Sequence, residues 1–177
     1  MQKKVFVTVG TTQFEELIDA VTNLSLLELL EKNGYNDITI QKGNGRNVTT
    51  IIPEGLRVHL DVYEYKKSII DDMKSADLIV SHCGAGCLME ALALKKRVIA
   101  VVNKSLWDNH QLELAQELSS SNHLIYTTPE SLFDVLKDPL FSDRLDGLSP
   151  FPAPTTKGFV DIVNQEMSQT NNSCCIL

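Results

Sequence analysis

The feature that most constrains the fold is a regular alternation of short apolar runs with amphipathic segments. Runs rich in Val and Ile occupy residues 3–9, 77–81 and 97–103, and segments with apolar residues at helical spacing separate them, as at 86–96. Strands that alternate with helices form right-handed βαβ units with parallel strands. The sequence therefore predicts an α/β, Rossmann-like fold, with a mostly parallel sheet and helices on both faces.

Further elements follow from the same patterns. Apolar spacing predicts one helix over 13–34 that ends at Gly34, and β-rich runs predict strands over 37–43, 47–53 and 56–62.

The length of the chain, 177 residues, suits a single domain. We place this Rossmann-like domain at 1–168 and a flexible tail at 169–177, because the last residues are mostly polar.

Charge and cysteine usage limit the classes of partner and setting. The formal net charge is −7, and an acidic chain binds phosphate backbones poorly, so we expect no nucleic acid partner. No run approaches the ~20 apolar residues of a transmembrane helix. The cysteines form two close pairs, Cys83/Cys87 and Cys174/Cys175, rather than the framework of a secreted domain, which predicts a reducing, cytoplasmic setting.

The stretch SHCGAGCLME at 81–90 admits three interpretations. As a zinc site it offers His82, Cys83 and Cys87, but a closed site needs four ligands and the sequence supplies no fourth. As a nucleophile, Cys83 would lie near a helix N-terminus, but nothing else in the sequence completes a catalytic dyad. We therefore predict no metal here, and we interpret both cysteines as small residues that fill the core.

The glycines of this stretch favour the third interpretation, an anion site. Gly84, Ala85 and Gly86 let the backbone turn sharply after a strand and approach a ligand closely. The helix that follows presents free N–H groups and the positive end of its dipole. Such an arrangement binds a phosphate without basic side chains, which suits an acidic chain.

Two further features lie at the same predicted edge of the sheet. Gly10 permits a second turn after the first strand, where Thr11 and Thr12 offer hydroxyl donors. Glu90, one to two turns into the later helix, is placed to reach a ribose diol, as acidic residues do in other nucleotide folds. The alternative for Glu90 is a solvated surface carboxylate.

The segment DNHQ at 108–111 is the third element. Asn109, His110 and Gln111 cluster uncharged hydrogen-bonding groups at a helix start, which suits sugar hydroxyls. Ordinary helix capping, with His110 on the surface, is the alternative. By contrast, GNGRN at 43–47 lacks the third glycine and the helix of a dinucleotide fingerprint, so we interpret it as a loop only.

Together these loops resemble a known family. VTVGTTQFEELI, YEYKKSIIDDMKSADLIVSHCGAG, MEALALKKRVIAVVN and DNHQLELAQEL are similar to segments of the Alg13 family. This family is the catalytic, donor-binding subunit of the N-acetylglucosaminyltransferase of N-glycan lipid precursor synthesis, and it is similar to the C-terminal half of MurG-type transferases. The resemblance covers residues 3–165, and SHxGAG together with DNHQ is a specific combination.

The resemblance implies a fold, a reaction and a partner. The chain is expected to be the donor-binding half of a GT-B glycosyltransferase that binds UDP-N-acetylglucosamine (UDP-GlcNAc). We expect no metal in the site, because the N–H groups at the helix end neutralise the phosphate. A membrane-anchored Alg14-like partner is expected to supply the acceptor half and to recruit the chain to the cytosolic face of the endoplasmic reticulum. Together they would add the second GlcNAc, β-1,4 and with inversion, to GlcNAc-diphosphate-dolichol. The alternative is a non-catalytic sugar-nucleotide-binding module that regulates or scaffolds a partner.

The resemblance also implies roles for individual residues. Those implied in donor binding are Gly10, Thr11 and Thr12 in a first phosphate loop; Tyr65 and Lys66 at uracil, through backbone groups; His82, Gly84, Ala85 and Gly86 in the diphosphate loop; Glu90 at the ribose; and Asn109, His110 and Gln111 at the GlcNAc. Three candidates for the catalytic base remain: a group of the partner, His82 and His110.

The final residues, CCIL, depart from the family pattern. They fit a C-a-a-X box, with Cys174 as the prenyl acceptor and Leu177 favouring geranylgeranyl. No basic cluster precedes them, so anchoring would rest on one prenyl chain and on partner binding. The alternative is a chance sequence at the C-terminus.

Overall fold

The computed structural model describes residues 3–103 and 109–152, with the backbone alone for Asn109 and His110. The strands in this part of the chain are β1 (Lys3–Thr8), β2 (Tyr35–Gln41), β3 (His59–Tyr63), β4 (Leu78–Ser81), β5 (Arg97–Val101) and β6 (Ile125–Thr127). The helices are α1 (Glu15–Thr22), α2 (Leu24–Lys32), α3 (Ile70–Ser75), α4 (Ala85–Ala93), α5 (Asn109–Ser120), α6 (Leu132–Lys137), preceded by a 3₁₀ turn, and α7 (Phe141–Asp146). None of these helices has the length and apolar character needed to cross a membrane.

The described strands form one parallel sheet with the order β3-β2-β1-β4-β5-β6. The chain fills one half of the sheet from β1 to β3, then returns to place β4 beside β1 and fills the other half. This reversal opens a crevice between the carboxyl ends of β1 and β4, which is where doubly wound sheets bind ligands. The predicted fold class is confirmed.

Alternate residues of the central strands face two different cores. On β1, Val5 and Val7 belong to a cluster with α1, α2, α6 and α7, which includes Leu27. Phe6 points to the opposite face and belongs to a cluster with α3, α4 and α5, which includes Leu88. Each such buried side chain contributes about 1.5–3 kcal/mol through loss of its water contact. The sheet is therefore covered by helices on both faces, as predicted.

The segment predicted as one helix over 13–34 is two helices, so that prediction was wrong. Asn23 has an extended backbone, with φ −67° and ψ 132°, and its side chain accepts the N–H of Ser25 at 3.0 Å, which caps α2. The break lets α1 and α2 each turn an apolar face onto the same core. Gly34, at φ +85°, follows α2 as predicted.

The segment between β2 and β3 is irregular, so the strand predicted over 47–53 was wrong. Its polar groups bond to the helical layer, as where the hydroxyl of Thr50 donates to the carbonyl of Thr22 at 3.2 Å. Its half-buried apolar residues, Val48 and Ile52, pack against the same helices. Because the segment runs over the helical layer, it has no neighbouring strand with which to pair.

Helix α7 has no counterpart among the predicted elements. Its Phe141 and Leu145 are buried four residues apart on one face, but a helix of six residues is too short for a clear periodic signal. The predicted domain end at 168 and Cys174 lie outside the described residues.

The loop after β2 supports the loop after β1. Asn44 donates its backbone N–H to the carbonyl of Thr12 at 3.3 Å and its side-chain amide to the carbonyl of Thr11 at 3.2 Å. The buried ammonium of Lys42 closes the same loop by donating to the carbonyl of Gly45 at 2.8 Å. GNGRN is therefore a loop, as predicted, but one that positions the first glycine turn.

Gly43 is the point at which the two loops touch, and it allows a test of this support. It has φ +59° and a Cβ there would lie 2.2 Å from the Thr12 carbonyl oxygen, whereas a Cβ at Gly34, which has φ +85°, would make only an ordinary contact with the Lys3 side chain at 3.9 Å. Alanine strains the backbone at both positions by about 1–2 kcal/mol. Gly43→Ala adds a backbone clash, so we expect a further loss of about 1–3 kcal/mol in the free energy of unfolding. Urea titration measures both variants, and an equal loss would contradict the contact.

Candidate functional site

A cavity of about 410 Å³ opens at the carboxyl edge of the sheet, at the switch point between β1 and β4. Its lining residues are Gly10, Thr11 and Thr12 after β1; Gln41 in β2; Tyr65, Lys66, Lys67, Ser68 and Ile69 after β3; and His82, Gly84, Ala85, Gly86, Cys87 and Glu90 after β4. The structure thus brings four of the predicted groups together around one space: the first loop, the Tyr65–Lys66 pair, the glycine turn and Glu90.

The N-terminus of α4 faces this cavity. Gly84 precedes the helix, and its carbonyl accepts the first helical bond, from the N–H of Leu88 at 3.0 Å. The N–H groups of Ala85, Gly86 and Cys87 consequently have no acceptor within the helix. Ala85 and Gly86 are exposed, so these donors and the positive end of the helix dipole are available to an anion.

The imidazole of His82 fills the floor between the two glycine turns. It is buried, and its Nδ1 lies 3.2 Å from the carbonyl oxygen of Thr8. A Cβ at Gly84 would lie 2.4 Å from Nε2 of this ring, and a Cβ at Gly10 would lie 2.9 Å from Cε1. Both positions therefore need glycine because one ring packs against them, a reason that the sequence did not reveal.

Gly86 differs from Gly84 in its surroundings. A Cβ at Gly86 would have no atom within 4 Å, so the folded chain itself does not require glycine there. The space beside Gly86 belongs to the cavity. Of the glycines in the turn, Gly86 is the one whose backbone is open to close approach by a ligand.

Burial fixes the protonation of His82. It lowers the pKa of the imidazole below the ordinary value of 6.5, against a smaller opposing effect of the bond to Thr8. Because a carbonyl only accepts, Nδ1 carries the proton and donates it to Thr8. The ring is therefore neutral at pH 7, and its Nε2 is an acceptor.

The two threonines of the first loop have different surroundings. The hydroxyl of Thr12 donates to the carbonyl of Val9 at 2.8 Å, which closes the turn. The exposed hydroxyl of Thr11 has no hydrogen-bond partner among the described residues. Gly10, at φ +64°, provides the left-handed backbone that the turn needs. The hydroxyl of Thr11 is thus available as a donor, whereas the hydroxyl of Thr12 already donates to a carbonyl within the loop.

The side chain of Lys66, in the cavity wall that Tyr65 and Lys66 form, is fixed by contacts within the protein. The ammonium of Lys66 lies 2.9 Å from the carboxylate of Asp72 and 4.0 Å from the ring centroid of Tyr63. Because that ammonium is paired with Asp72, its charge is already neutralised within the protein. The backbone groups of this segment, which the sequence analysis assigned to uracil, are left to the cavity.

Two charged side chains line the cavity without an ion-pair partner among the described residues. Glu90 is exposed one to two turns beyond the start of α4, and Lys67 is exposed on the wall opposite. Lys67, Ser68 and Ile69 were not predicted, because nothing in their residue types separates them from an ordinary surface loop.

The two cysteines play different parts. Cys83 is fully buried in the core beside α4, and burial raises the pKa of its thiol to about 12, which excludes a thiolate nucleophile at neutral pH. Its φ of +63° places it at the sharpest point of the turn. Cys87 is only half-buried and lines the cavity, so its interpretation as a core residue was incomplete. Among the described residues, no cluster of three or more His, Cys, Asp or Glu side chains could hold a metal ion.

The third predicted element is described in part. Asn109 and His110 begin α5, but their side chains lie outside the described residues. Gln111 is half-buried and does not line the cavity. Helix α5 follows β5, the neighbour of β4, so the start of this element lies at the same edge of the sheet.

Two further polar residues were missed, Gln41 in the cavity lining and Thr8 buried beside it. Thr8 and Gln41 are paired across β1 and β2, and the hydroxyl of Thr8 donates to Gln41 Oε1 at 2.6 Å. A signal was present, because each is a polar residue at the end of a strand, two positions before a glycine.

A family comparison agrees with this arrangement of strands and loops. Residues 4–165 match the sequence profile of the glycosyltransferase family 28 C-terminal domain. The chain belongs to this family.

Relatives within the family carry a more specific name. A UDP-N-acetylglucosamine transferase subunit ALG13 from Yarrowia lipolytica is 32% identical over 147 residues, which cover 75% of this chain and 75% of the relative. The ALG13 subunit from Mus musculus is 44% identical over 129 residues, which cover 71% of this chain. The chain spans only 11% of the length of that mouse relative. The resemblance to the Alg13 family is confirmed.

Solved structures of glycosyltransferases share the fold. The solution structure of ALG13 superposes with a TM-score of 0.63 at 23% identity and covers 91% of this chain and 94% of its own. MurG from Acinetobacter baumannii gives a TM-score of 0.62 at 17% identity and covers 81% of this chain and 41% of its own. The family fold is therefore the C-terminal half of a GT-B glycosyltransferase, as predicted.

Gly84 and Gly86 form a matched pair for testing the glycine turn. Gly84→Ala drives a methyl group into the ring of His82, so we expect the free energy of unfolding to fall by about 1–3 kcal/mol. Gly86→Ala meets open space in the first turn of α4, and alanine favours helix there, so stability is expected to hold or rise by up to ~1 kcal/mol. Thermal unfolding of both variants is the measurement. A comparable loss at Gly86 would show that the folded chain, not a ligand site, needs that glycine.

His82 predicts a pH dependence of stability. Because its folded pKa lies below 6.5, the unfolded state binds more protons between the two values. The contribution of His82 is complete above about pH 6.5 and is lost as the pH falls through the folded pKa. In urea titrations from about pH 7.5 to 5.0, His82→Asn should lose less stability on acidification than the wild type. Parallel pH profiles would argue against a buried, neutral ring.

Proposed function

We propose that this chain is the donor-binding, catalytic subunit of a heteromeric UDP-GlcNAc transferase. The observation that carries the proposal is the open N-terminus of α4 at the switch point, with Gly86 exposed to a cavity of about 410 Å³. Membership of the glycosyltransferase family and the name of the relatives support the choice of UDP-GlcNAc as donor.

The diphosphate would lie between the two glycine turns. The free N–H groups at the start of α4 face it from one side, and the hydroxyl of Thr11 faces it from the other. These donors and the helix dipole oppose the phosphate charge without a cation, so the proposed site contains no metal. Lys67 adds a positive charge at the cavity mouth, which matters in a chain of net charge −7.

The nucleoside would lie along the wall after β3. Tyr65 and Lys66 supply backbone groups for uracil, and Glu90 accepts hydrogen bonds from the ribose diol. Glu90 follows Ala85 by five residues, or about 7.5 Å of helical rise, which is the scale of the separation between a diphosphate and its ribose. The GlcNAc would extend towards α5, where Asn109, His110 and Gln111 are predicted to meet it.

The proposed reaction is a direct displacement with inversion. A hydroxyl of the acceptor attacks the anomeric carbon of GlcNAc, the bond to the diphosphate breaks, and UDP leaves. The hydroxyl proton passes to a general base, which we assign to the partner, because burial disfavours the charged imidazolium that His82 would become on accepting a proton. Charge that develops on the leaving phosphate is stabilised by the donors already aligned at α4, which need no reorganisation.

The acceptor half is proposed to come from a membrane-anchored Alg14-like partner. A GT-B enzyme places its active site between two Rossmann-like domains, and the described residues form one such sheet. The relatives are named as subunits, which supports a partner. The proposed product is the β-1,4-linked second GlcNAc on GlcNAc-diphosphate-dolichol, made at the cytosolic face of the endoplasmic reticulum.

The test is reconstitution of the full chain with the partner, UDP-GlcNAc and a short-chain lipid-diphosphate GlcNAc acceptor. Glu90→Ala removes the ribose contact, so we expect transfer to fall about 10- to 100-fold. Glu28→Ala removes an exposed carboxylate from α2, on the opposite face of the sheet, and should transfer at the wild-type rate.

The outcomes separate the competing hypotheses. Unchanged transfer by Glu90→Ala would remove the catalytic assignment of this cavity. Binding of UDP-GlcNAc without any transfer in the reconstituted complex would favour a non-catalytic binding module. The same assay in excess chelator checks the proposed absence of a metal, and loss of transfer there would overturn it.

A further inference from the structure

A buried amide on the cavity floor is not used by the proposed donor site. Gln41 is the last residue of β2, it lines the cavity, and only 2% of it is exposed. A side chain with both a donor and an acceptor is costly to bury unless both find partners.

Contacts on the β1 side settle the orientation of this amide. The backbone N–H of Gly10 donates to Thr8 Oγ1 at 3.0 Å. The hydroxyl of Thr8 donates to Gln41 Oε1 at 2.6 Å, a distance typical of an O–H···O bond and short for an N–H···O bond. The carbonyl end of the amide is therefore occupied, and the Nε2 end is left to face the cavity.

The Nε2 group of Gln41 donates no hydrogen bond within residues 3–103 and 109–152. It is not among the fully buried side-chain atoms of these residues that lack a partner, so it keeps surface open to the cavity. An oxygen of a molecule bound in the cavity can accept this N–H. Gln41 Oε1 is joined through the hydroxyl of Thr8 to the N–H of Gly10 in the first glycine turn, so Nε2 of the same amide also lies near that turn.

We propose that Gln41 is a ligand-contacting residue whose Nε2 donates to a phosphate oxygen of the bound nucleotide. The assignment rests on the proposed function and adds a donor to it. Position favours a phosphate over uracil. The amide is bonded towards β1 and lies beside the loop of Gly10, where the diphosphate is proposed to bind, whereas uracil is proposed to lie along the segment after β3. A neutral donor of this kind suits a site in which backbone N–H groups, rather than cations, oppose the charge.

Two uncharged variants separate contact from support. Gln41→Met keeps the length of the side chain but removes both the donor to the ligand and the acceptor for Thr8. Thr8→Val removes the bonds of the hydroxyl to Gln41, to Gly10 and to the thiol of Cys87 but leaves the amide in place. If Gln41 acts only by supporting the first turn, these two variants weaken binding equally.

The measurement is equilibrium dialysis of the full chain, reconstituted with its partner, against radiolabelled UDP and radiolabelled uridine. We expect Gln41→Met to bind UDP about tenfold more weakly than Thr8→Val does, as for the loss of a hydrogen bond to a charged group. Uridine, which has no phosphate, should bind both variants within about twofold of the wild type. Urea titration of each variant confirms that the compared proteins are folded.

Three results would overturn the inference. Equal weakening of UDP binding in both variants would leave Gln41 with a supporting role only. Equal weakening of UDP and uridine binding by Gln41→Met would place the contact on the nucleoside. If Gln41→Met binds UDP as well as the wild-type complex does, the proposed contact is wrong and the proposed function stands. If the wild-type complex binds no UDP, both the contact and the proposed function are wrong.

Discussion

The packing of the His82 ring against two glycines is the contact on which the rest of the site depends. The ring joins the loop after β1 to the loop after β4, and its Nδ1 bond to Thr8 ties both to the end of the central strand. Burial keeps the ring neutral, so it places no positive charge under the cavity. The partial positive charge that attracts an anion comes instead from the backbone N–H groups at the start of α4, whose direction is fixed by the helix.

A polar layer under the cavity separates the site from the apolar cores. Thr8 and Gln41 end adjacent strands and bond to each other, and Lys42 and Asn44 support the loop beside them. Thr8, Gln41 and Lys42 are buried and Asn44 is exposed, and their bonds hold each loop by contacts that it would lack on its own. A rigid floor of this kind suits a site whose donors must be aligned before the ligand arrives.

The errors in the sequence predictions have a common cause, which is that tertiary contacts override local pattern. A continuous apolar period over 13–34 conceals the break at Asn23, since one polar residue at a cap barely changes the periodicity. The β-rich run at 47–53 meets the helical layer instead of a strand, and its groups bond there. Cys87 has the residue type of a core position, yet the direction of α4 turns it to the cavity.

The sequence by itself determined the α/β class, the parallel sheet, the glycine turns and their meeting with Glu90 at one edge. These follow from period, from glycine and from the rule that parallel strands end at one edge. The roles of Tyr65 and Lys66 came only from the resemblance to the Alg13 family. Only the tertiary structure separated the glycines: Gly84 and Gly10 pack against the ring of His82, whereas Gly86 borders open space and is not required by the fold itself. It also separated Thr11 from Thr12 and revealed Gln41, because hydrogen-bond partners far apart in sequence, such as Thr8 and Gln41, meet only when strands pair. Local pattern carries no information on such partners, since they are chosen by the register of the sheet.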